Sequence, residues 1–350
     1  MDMKNQNTLR NVPAMWYGNP SPVCYIGAVM RLMEYIGDPV EQDELFALSG
    51  AGLCFPWRYA SCCDEISVIS QIPGRTFQAF GYESEYLPTE ILPDKKNCLE
   101  KIKRSIDSGR PVIGFGITVK MPMSCLVVGY DGSGLYTRSF WPPEGAKYDA
   151  EEYFYSPDWY ENCAGLLIVG KQTGKRLAGA EAYARIADWA LEFGRCPPSV
   201  WAGGQDIYLN QYAFDAMMEW LMDDVQWKDP TQGGKEQYLK QSGLLLLQYY
   251  RSNLYQYLKK LDKEYPNLVN PSVFTALEHT LKAMPGAHTS DLWLYKAVDP
   301  ELREFSFMKR PSLRKRVAEY VNQLKEYDNS MQWALFTPEL ADQQAKDSSL

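Results

Sequence analysis

Apolar residues recur at helical spacing in the segment that runs from residue 19 to residue 37. The members of this stripe are Val23, Ile26, Met30, Met33 and Ile36. Ser21 is a suitable N-cap, Pro22 suits the first helical position, and Gly37 is a typical helix stop. The pattern therefore predicts a helix with one buried face. It puts Cys24 in the first turn of that helix.

The hydrophobic pattern in the rest of the first half alternates between short helices and strands. It predicts helices over residues 40–49, 63–72 and 97–108. It predicts strands over residues 77–85, 111–118, 125–130, 134–140 and 163–170. The turn Asp131-Gly132-Ser133 between two of these strands is typical of a hairpin. Helices that precede a run of strands indicate an α+β domain, with a central helix on an antiparallel sheet.

The pattern becomes almost entirely helical beyond residue 172. The predicted helices cover residues 177–194, 208–225, 235–264, 271–284, 290–297 and 311–327, and several proline-containing breaks separate them. We therefore expect an α+β fold in two domains. The first covers residues 1–172, an all-α domain covers residues 173–337, and a polar, disordered tail covers residues 338–350.

Composition and charge exclude several classes of function. The chain has 350 residues, a net charge of −8, 45% apolar residues and 23% charged residues, as a soluble globular protein does. No basic cluster is long enough to indicate a nucleic-acid partner, and no apolar run reaches the about 18 residues of a membrane span. The polar N-terminus lacks the apolar core of a signal peptide, so we expect a cytoplasmic protein.

The cysteines and histidines argue against a metal site. The eight cysteines lie at positions 24, 54, 62, 63, 98, 125, 163 and 196. None forms a Cys-x-x-Cys pair, and the chain contains only two histidines, His279 and His288. These spacings do not match a zinc site, and a reducing compartment favours thiols over disulfides. We expect no metal and no other cofactor.

Cys24 has two interpretations. A thiol in the first turn of a helix lies near backbone N–H groups and the positive end of the helix dipole, which favours the thiolate and makes the sulfur nucleophilic. The alternative is a small apolar residue that packs under a buried helix, as many cysteines do. This segment alone leaves both interpretations open.

Three short motifs carry a resemblance to a known family. They are the Cys24 helix start, the segment Gly109-Arg110-Pro111-Val112 that opens a strand, and the segment Leu126-Val127-Val128-Gly129-Tyr130-Asp131 in a later strand. With these motifs the chain resembles the papain-like superfamily. Within it, the chain is similar to bacteriocin-processing peptidases and to butirosin biosynthesis protein H, including the helical C-terminal region of the latter type. The resemblance implies a papain-like N-terminal domain and a thiol-dependent peptidase or acyltransferase activity.

The same resemblance assigns roles to single positions. Cys24 matches the nucleophile of the family. The family histidine would lie six residues before Gly129, where this chain has Met123, and the family aspartate or asparagine would fall near Ser139 and Phe140. A Cys–His pair works because the imidazole takes the thiol proton and later returns it. Because methionine does neither, two of the three catalytic positions depart from the pattern.

Other residues are candidates for binding or for proton transfer. Asn19, just upstream of the helix, could supply an oxyanion-hole donor. The substrate-binding candidates are aromatic or cationic: Trp16, Tyr17, Arg58, Arg138 and Trp141. The alternative is a place in the core for the aromatic residues, a surface salt bridge for Arg58, and a side chain that simply points outward from its strand for Arg138. His279 or His288 could act as a base only if the helical half folded over the Cys24 helix start.

Two functions follow from this reading. The first is a catalytically degraded papain-like protein that binds a small molecule or peptide in a cleft at the Cys24 helix start and the domain interface. The second is a cysteine-dependent acyltransferase, an amide-forming enzyme of natural-product biosynthesis that takes an acyl group from a thioester or an amide onto Cys24 and passes it to an amine. The sequence predicts no nucleic-acid or membrane partner. It leaves the oligomeric state open, and with it a structural or regulatory role in an oligomer.

Overall fold

The computed structural model describes residues 6–16, 18–57, 71–119, 123–143, 153–202, 205–228, 244–284 and 308–336. The α-helices of this part of the chain are α1 (Cys24–Tyr35), α2 (Gln42–Ser49), α3 (Gln71–Ala79), α4 (Lys95–Asp107), α5 (Gly179–Gly194), α6 (Gln211–Met222), α7 (Leu244–Glu264), α8 (Pro271–Ala283) and α9 (Pro311–Phe336). The strands are β1 (Asn7–Thr8), β2 (Pro56–Trp57), β3 (Tyr82–Pro88), β4 (Val112–Phe115), β5 (Ser124–Tyr130), β6 (Leu135–Ser139), β7 (Phe154–Ser156), β8 (Gly165–Gln172), β9 (Ser199–Ala202) and β10 (Gln205–Leu209). The fold class is α+β, which confirms the prediction.

The chain divides into two compact units. The first comprises Met1–Ser49 and Asp64–Leu177, and the second comprises Gly50–Cys63 and Ala178–Leu350. The division after Leu177 lies five residues beyond the boundary that the sequence suggests. Gly50–Cys63 groups with the second unit, although it precedes most of the first unit in the chain.

An antiparallel sheet forms the centre of the first unit. Its strands follow the order β3-β8-β4-β5-β6-β7, and β1 pairs with the last residues of β5. All residues of β4 and β5 are buried, because α1 packs against β5 and α4 packs against β4, β5 and β8. The nearly unbroken apolar runs of these central strands reflect burial on both faces.

Helix α1 begins two residues later than the capping signals predict. Val23 has the extended backbone of an N-cap residue, with φ −94° and ψ 113°. The predicted cap, Ser21, instead accepts a hydrogen bond from the Val23 N–H at 3.2 Å. Residues 24–29 are all buried, so the start of α1 is enclosed on every side and not along one stripe. The helix stops before Gly37, whose φ of +85° favours glycine.

The predicted strand over residues 77–85 is wrong in its first half. Helix α3 continues to Ala79, and β3 begins only at Tyr82. Gly81 lies between them with a φ of +78°. Its carbonyl accepts hydrogen bonds from the Thr173 and Gly174 N–H groups, which ties the turn to the end of β8. Most of the predicted helix over residues 63–72 lies outside the described residues.

The second unit is mainly helical, but it also contains a three-stranded sheet that the all-α prediction missed. The strand order is β2-β10-β9. The Phe55 N–H donates to Asn210 Oδ1 at 2.7 Å, and the Asn210 N–H donates to the Phe55 carbonyl at 2.8 Å. Trp57 in β2 packs against Trp220 of α6, with ring centroids 6.0 Å apart. These contacts make Phe55 and Trp57 part of the core of the second unit.

A buried ion pair joins two long helices of the second unit. Arg251 of α7 donates from Nε and Nη2 to the carboxylate of Asp328 in α9, at 2.6 and 2.9 Å. Both side chains are at most 1% exposed. Arg251 Nη1 also donates to the Gly52 carbonyl at 2.5 Å. One arginine therefore anchors both α9 and the segment that precedes β2.

Several predictions for the second half lie wholly or partly outside the described residues. The part of the predicted helix 235–264 that is described begins at Leu244, and the predicted helix 290–297 and tail 338–350 are not described. Helix α9 continues nine residues beyond the predicted end, to Phe336. Among the described residues, no helix combines the length and apolar character that crossing a membrane requires.

Candidate functional site at the start of helix α1

Cys24 is the first residue of α1. The first N–H groups of a helix have no intrahelical acceptor, and they carry the positive end of the helix dipole. No side chain caps this helix start. Cys24 is only 1% exposed, so its side chain lies at this helix start in an environment from which water is largely excluded.

Two consecutive residues contact the Cys24 sulfur: Met123, directly before β5, and Ser124, its first residue. The Ser124 N–H donates to Sγ at 3.2 Å. The Cys24 thiol donates a weak, long hydrogen bond to Met123 Sδ, with the sulfur atoms 3.9 Å apart. Met123 is half-buried. The fold thus brings together the position expected for the nucleophile and the position at which the resemblance puts the histidine.

The loop before β5 determines where Met123 lies. The Gly116 N–H donates to the Met123 carbonyl at 3.0 Å. Gly116 has a φ of +70°, and a Cβ at this position would collide with the Asn162 carbonyl. The turn therefore requires glycine on both conformational and steric grounds. Through this backbone contact, Gly116 holds Met123 beside Cys24.

Ser139 and Phe140, where the resemblance puts the third catalytic residue, are both buried. Ser139 pairs with Cys125 across β5 and β6. Its hydroxyl lies 3.2 Å from the Thr118 hydroxyl, and it accepts the Trp141 N–H at 3.1 Å. A hydroxyl in these bonds supplies no negative charge to orient an imidazole.

Phe140 lies against α1 one turn beyond Cys24. A Cβ built on Gly27 would lie 2.8 Å from Phe140 Cζ. Gly27 is thus the residue that lets the ring approach the helix. No local signal in the sequence marks this glycine, because its importance depends on a side chain 113 positions away.

Asn19, the candidate oxyanion donor, has its amide oriented by an arginine. Arg31 Nη2 donates to Asn19 Oδ1 at 2.9 Å. A guanidinium only donates, so the amide oxygen faces Arg31 and the NH₂ group faces elsewhere. The backbone of Asn19 also exchanges two hydrogen bonds with Trp16, at 2.9 and 3.2 Å. These contacts give Asn19 and the half-buried Trp16 a defined geometry before the start of α1.

The remaining candidates have different surroundings. Arg138 is buried, and its guanidinium stacks over the ring of Tyr153 at 4.3 Å from the centroid. The Tyr153 hydroxyl donates to the Leu9 carbonyl at 2.9 Å, so this stack is part of the core. Trp141 is 39% exposed. Tyr17 and Arg58 lie outside the described residues.

His279 is exposed and packs its ring beside Tyr327 in the second unit, with centroids 5.5 Å apart. This is the structural role that a histidine on a helix surface commonly has. His288 lies outside the described residues.

Burial lowers the reactivity of five other cysteines. It raises the pKa of the Cys98 and Cys163 thiols to about 11, and it raises the pKa of Cys54, Cys125 and Cys196 as well. Little thiolate is present at these positions near neutral pH. Labelling experiments that depend on the thiolate therefore have a low background from this set.

The described residues contain no group of three or more histidine, cysteine, aspartate or glutamate side chains that could hold a metal ion. No protein-family model and no curated protein sequence matches the chain.

The site offers a limited chemistry. The helix start and the Ser124 N–H favour negative charge on the Cys24 sulfur. The Met123 thioether is a weak acceptor that cannot take up and return a proton near neutral pH. The Ser124 donor has no signal in the sequence, because a backbone N–H becomes part of a site only through tertiary structure.

Proposed function

We propose that this protein is a catalytically degraded member of the papain-like superfamily that binds a small molecule or a peptide at the start of α1. The observation that carries the proposal is the 3.9 Å contact between Cys24 Sγ and Met123 Sδ. In this reading a thioether occupies the place of the catalytic imidazole, so the site keeps its position in the fold but lacks its proton shuttle.

The position of the contact supports the papain-like interpretation. Cys24 opens a buried helix that packs on an antiparallel sheet. Met123 stands directly before β5, and Ser139 ends the neighbouring strand β6. The resemblance implies a nucleophile at the start of a helix. It also implies a base and an orienting residue on two paired strands.

The missing base decides between binding and turnover. Acyl transfer requires that the thiol lose a proton and that the leaving group gain one. General acid–base catalysis contributes about 10²- to 10⁴-fold in enzymes. With Met123 in the position of the base, we expect the protein to hold a ligand beside Cys24 without converting it.

An acyltransferase that uses Cys24 as its nucleophile is the second candidate. The hydrogen bond from the Ser124 N–H to Sγ favours it, since a donor to sulfur stabilises the thiolate. Thioesters are already activated, so a thiolate could accept their acyl group with less help from a base. Under this candidate the acyl group then passes from Cys24 to an amine.

One experiment separates the two candidates. The full chain and Cys24→Ala are incubated with a panel of S-acyl N-acetylcysteamine thioesters and short peptides, with and without a primary amine. Thiol release and intact mass are followed. Each compound is also tested for protection of Cys24 against iodoacetamide near pH 6.5.

Binding without catalysis predicts protection of Cys24 by at least one compound and no thiol release above that of Cys24→Ala. An acyl adduct on Cys24 that is lost when amine is added, together with repeated turnover, would replace the binding proposal with the acyltransferase. If no compound protects Cys24, the proposed binding site at the start of α1 is wrong.

A further inference from the structure

We propose that Cys24 and Met123 form a binding site for a soft monovalent metal ion, and that this ion is Cu(I). The inference goes beyond the proposed ligand binding, and it does not depend on the papain-like resemblance. It starts from two sulfur atoms that the fold brings to 3.9 Å although their residues are 99 positions apart. Thiolate and thioether sulfurs are the side-chain donors that favour Cu(I).

The separation of the sulfur atoms fits a shared metal. With metal–sulfur bonds of about 2.3 Å, the length of a zinc–thiolate bond, a spacing of 3.9 Å corresponds to an angle of about 115° at the metal. This angle is close to that of a trigonal site. It leaves a third position for a ligand from outside, such as a small thiol.

Both sulfur donors are already held in place. Cys24 is the first residue of a buried helix. Met123 is held by the hydrogen bond from Gly116 to its carbonyl, and the next residue starts β5. Metal binding would therefore cost little reorganisation. Cys24 is buried while Met123 is half-buried, so a metal would enter from the side of the thioether.

The charge balance favours a monovalent metal. The Cys24 thiol directs its S–H bond toward Met123 Sδ, so the space between the two sulfurs already holds the thiol hydrogen. Cu(I) would replace this proton: the S–H bond breaks, a Cu–S bond forms, and one proton is released to water. The product, a thiolate with Cu(I), is neutral, which suits a residue that is 1% exposed. The Ser124 N–H would remain as a donor to the thiolate sulfur.

The test is a competition titration of the full, reduced chain with Cu(I) against a chromophoric Cu(I) chelator, without oxygen. The site variants are Cys24→Ser and Met123→Leu. Two matched controls are Met33→Leu, a buried thioether in the same helix, and Cys196→Ser, a half-buried thiol in the second unit. We expect the affinity for the most tightly bound equivalent of Cu(I) to fall at least tenfold in both site variants. In the controls we expect this affinity to stay unchanged.

A second measurement uses the unmodified protein and needs no variant to fold. One equivalent of Cu(I) is added, iodoacetamide follows, and the labelled cysteines are mapped by mass spectrometry. We expect protection of Cys24 against labelling. We also expect the Cu(I) affinity to rise tenfold per pH unit below the pKa of the thiol, because one proton leaves on binding.

Three results would overturn the site: an unchanged affinity in Met123→Leu, an equal loss in the controls, or labelling of Cys24 that is the same with and without Cu(I). None of them bears on the proposed function, which is tested by protection with organic ligands in the absence of metal.

Discussion

The main-chain N–H of Ser124 points at the sulfur of Cys24 from a distance of 3.2 Å, across 100 residues of sequence. Strand β5 therefore starts where helix α1 starts, and Met123 is carried to the same place. The reactivity of Cys24 depends on the groups around its sulfur. These include the start of α1, the Ser124 N–H and the Met123 thioether.

Met123→His should increase the reactivity of Cys24. An imidazolium beside a thiol lowers its pKa, so we expect the rate of alkylation by iodoacetamide at pH 6.5 to rise roughly tenfold or more. The rate at Cys24 is measured by peptide mapping. Met123→Leu is the control, because it keeps the volume of the side chain without adding a base.

The other thiols provide an internal reference in this experiment. Burial raises the pKa of Cys98 and Cys163 to about 11, so their labelling should stay slow in every variant. Equal rates at Cys24 in the histidine and leucine variants would show that position 123 does not govern the thiol.

Gly27→Ala tests the approach of Phe140 to α1. Alanine gains up to about 1 kcal/mol of helix propensity over glycine. The new Cβ, however, would lie 2.8 Å from Phe140 Cζ, and overpacking costs about 1–3 kcal/mol. We expect a net loss of stability in urea unfolding, because the buried ring has little room to move.

Phe140→Leu in the same background is the control for this contact. It should turn the Gly27→Ala effect from a loss into a gain, since the atom that collides is removed. A loss of the same size in both backgrounds would mean that Phe140 is not the cause.

Removing one partner of the buried pair in the second unit should destabilise that unit strongly. Arg251→Met leaves the Asp328 carboxylate buried without its guanidinium, which typically costs about 3–5 kcal/mol. Denaturant unfolding measures the loss. The double variant Arg251→Met with Asp328→Leu should recover much of it, and a double variant no more stable than the single one would contradict this account.

Asp131 should contribute to stability in a pH-dependent way. Hydrogen bonds from the Ser133 N–H, the Gly134 N–H and nearby hydroxyls lower the pKa of its carboxyl group to about 2. Because the folded-state pKa lies below the usual 3.8, the stabilisation is present above about pH 4 and is lost as the pH falls toward 2.

We expect Asp131→Asn to cost about 1 kcal/mol at pH 7, since the turn is partly exposed to solvent. The difference from the unmodified protein should shrink between pH 4 and pH 2.5. Urea unfolding at pH 7, 4, 3 and 2.5 measures it. A difference that does not change with pH would show that the charge of Asp131 is not the source of the effect.

Local signals in the sequence account for most of the elements. Helices α2, α4, α5 and α8 lie within a few residues of their predicted positions, because apolar periodicity and proline or glycine breaks act over short distances. The predicted strand over residues 77–85 was wrong in its first half. Its pattern does not reveal the hydrogen bonds from Thr173 and Gly174 that place the turn at Gly81.

The candidate site could be predicted only in part. Cys24 at a helix start follows from local sequence, and the resemblance puts Met123 opposite it. The Ser124 donor, the Phe140 ring on Gly27 and the orientation of Asn19 by Arg31 do not follow. Each of them depends on a backbone atom or on a rotamer that is set by packing.

By itself the sequence determined the α+β class, the place of Cys24 at the beginning of a helix and the absence of an imidazole at position 123. Only the tertiary structure decided that the Met123 and Cys24 sulfurs touch, and that Gly50–Cys63 belongs with the second unit. The physical reason is the distance along the sequence over which each kind of interaction acts. Periodicity and capping act within a few residues, whereas these contacts join residues about 100 or more positions apart.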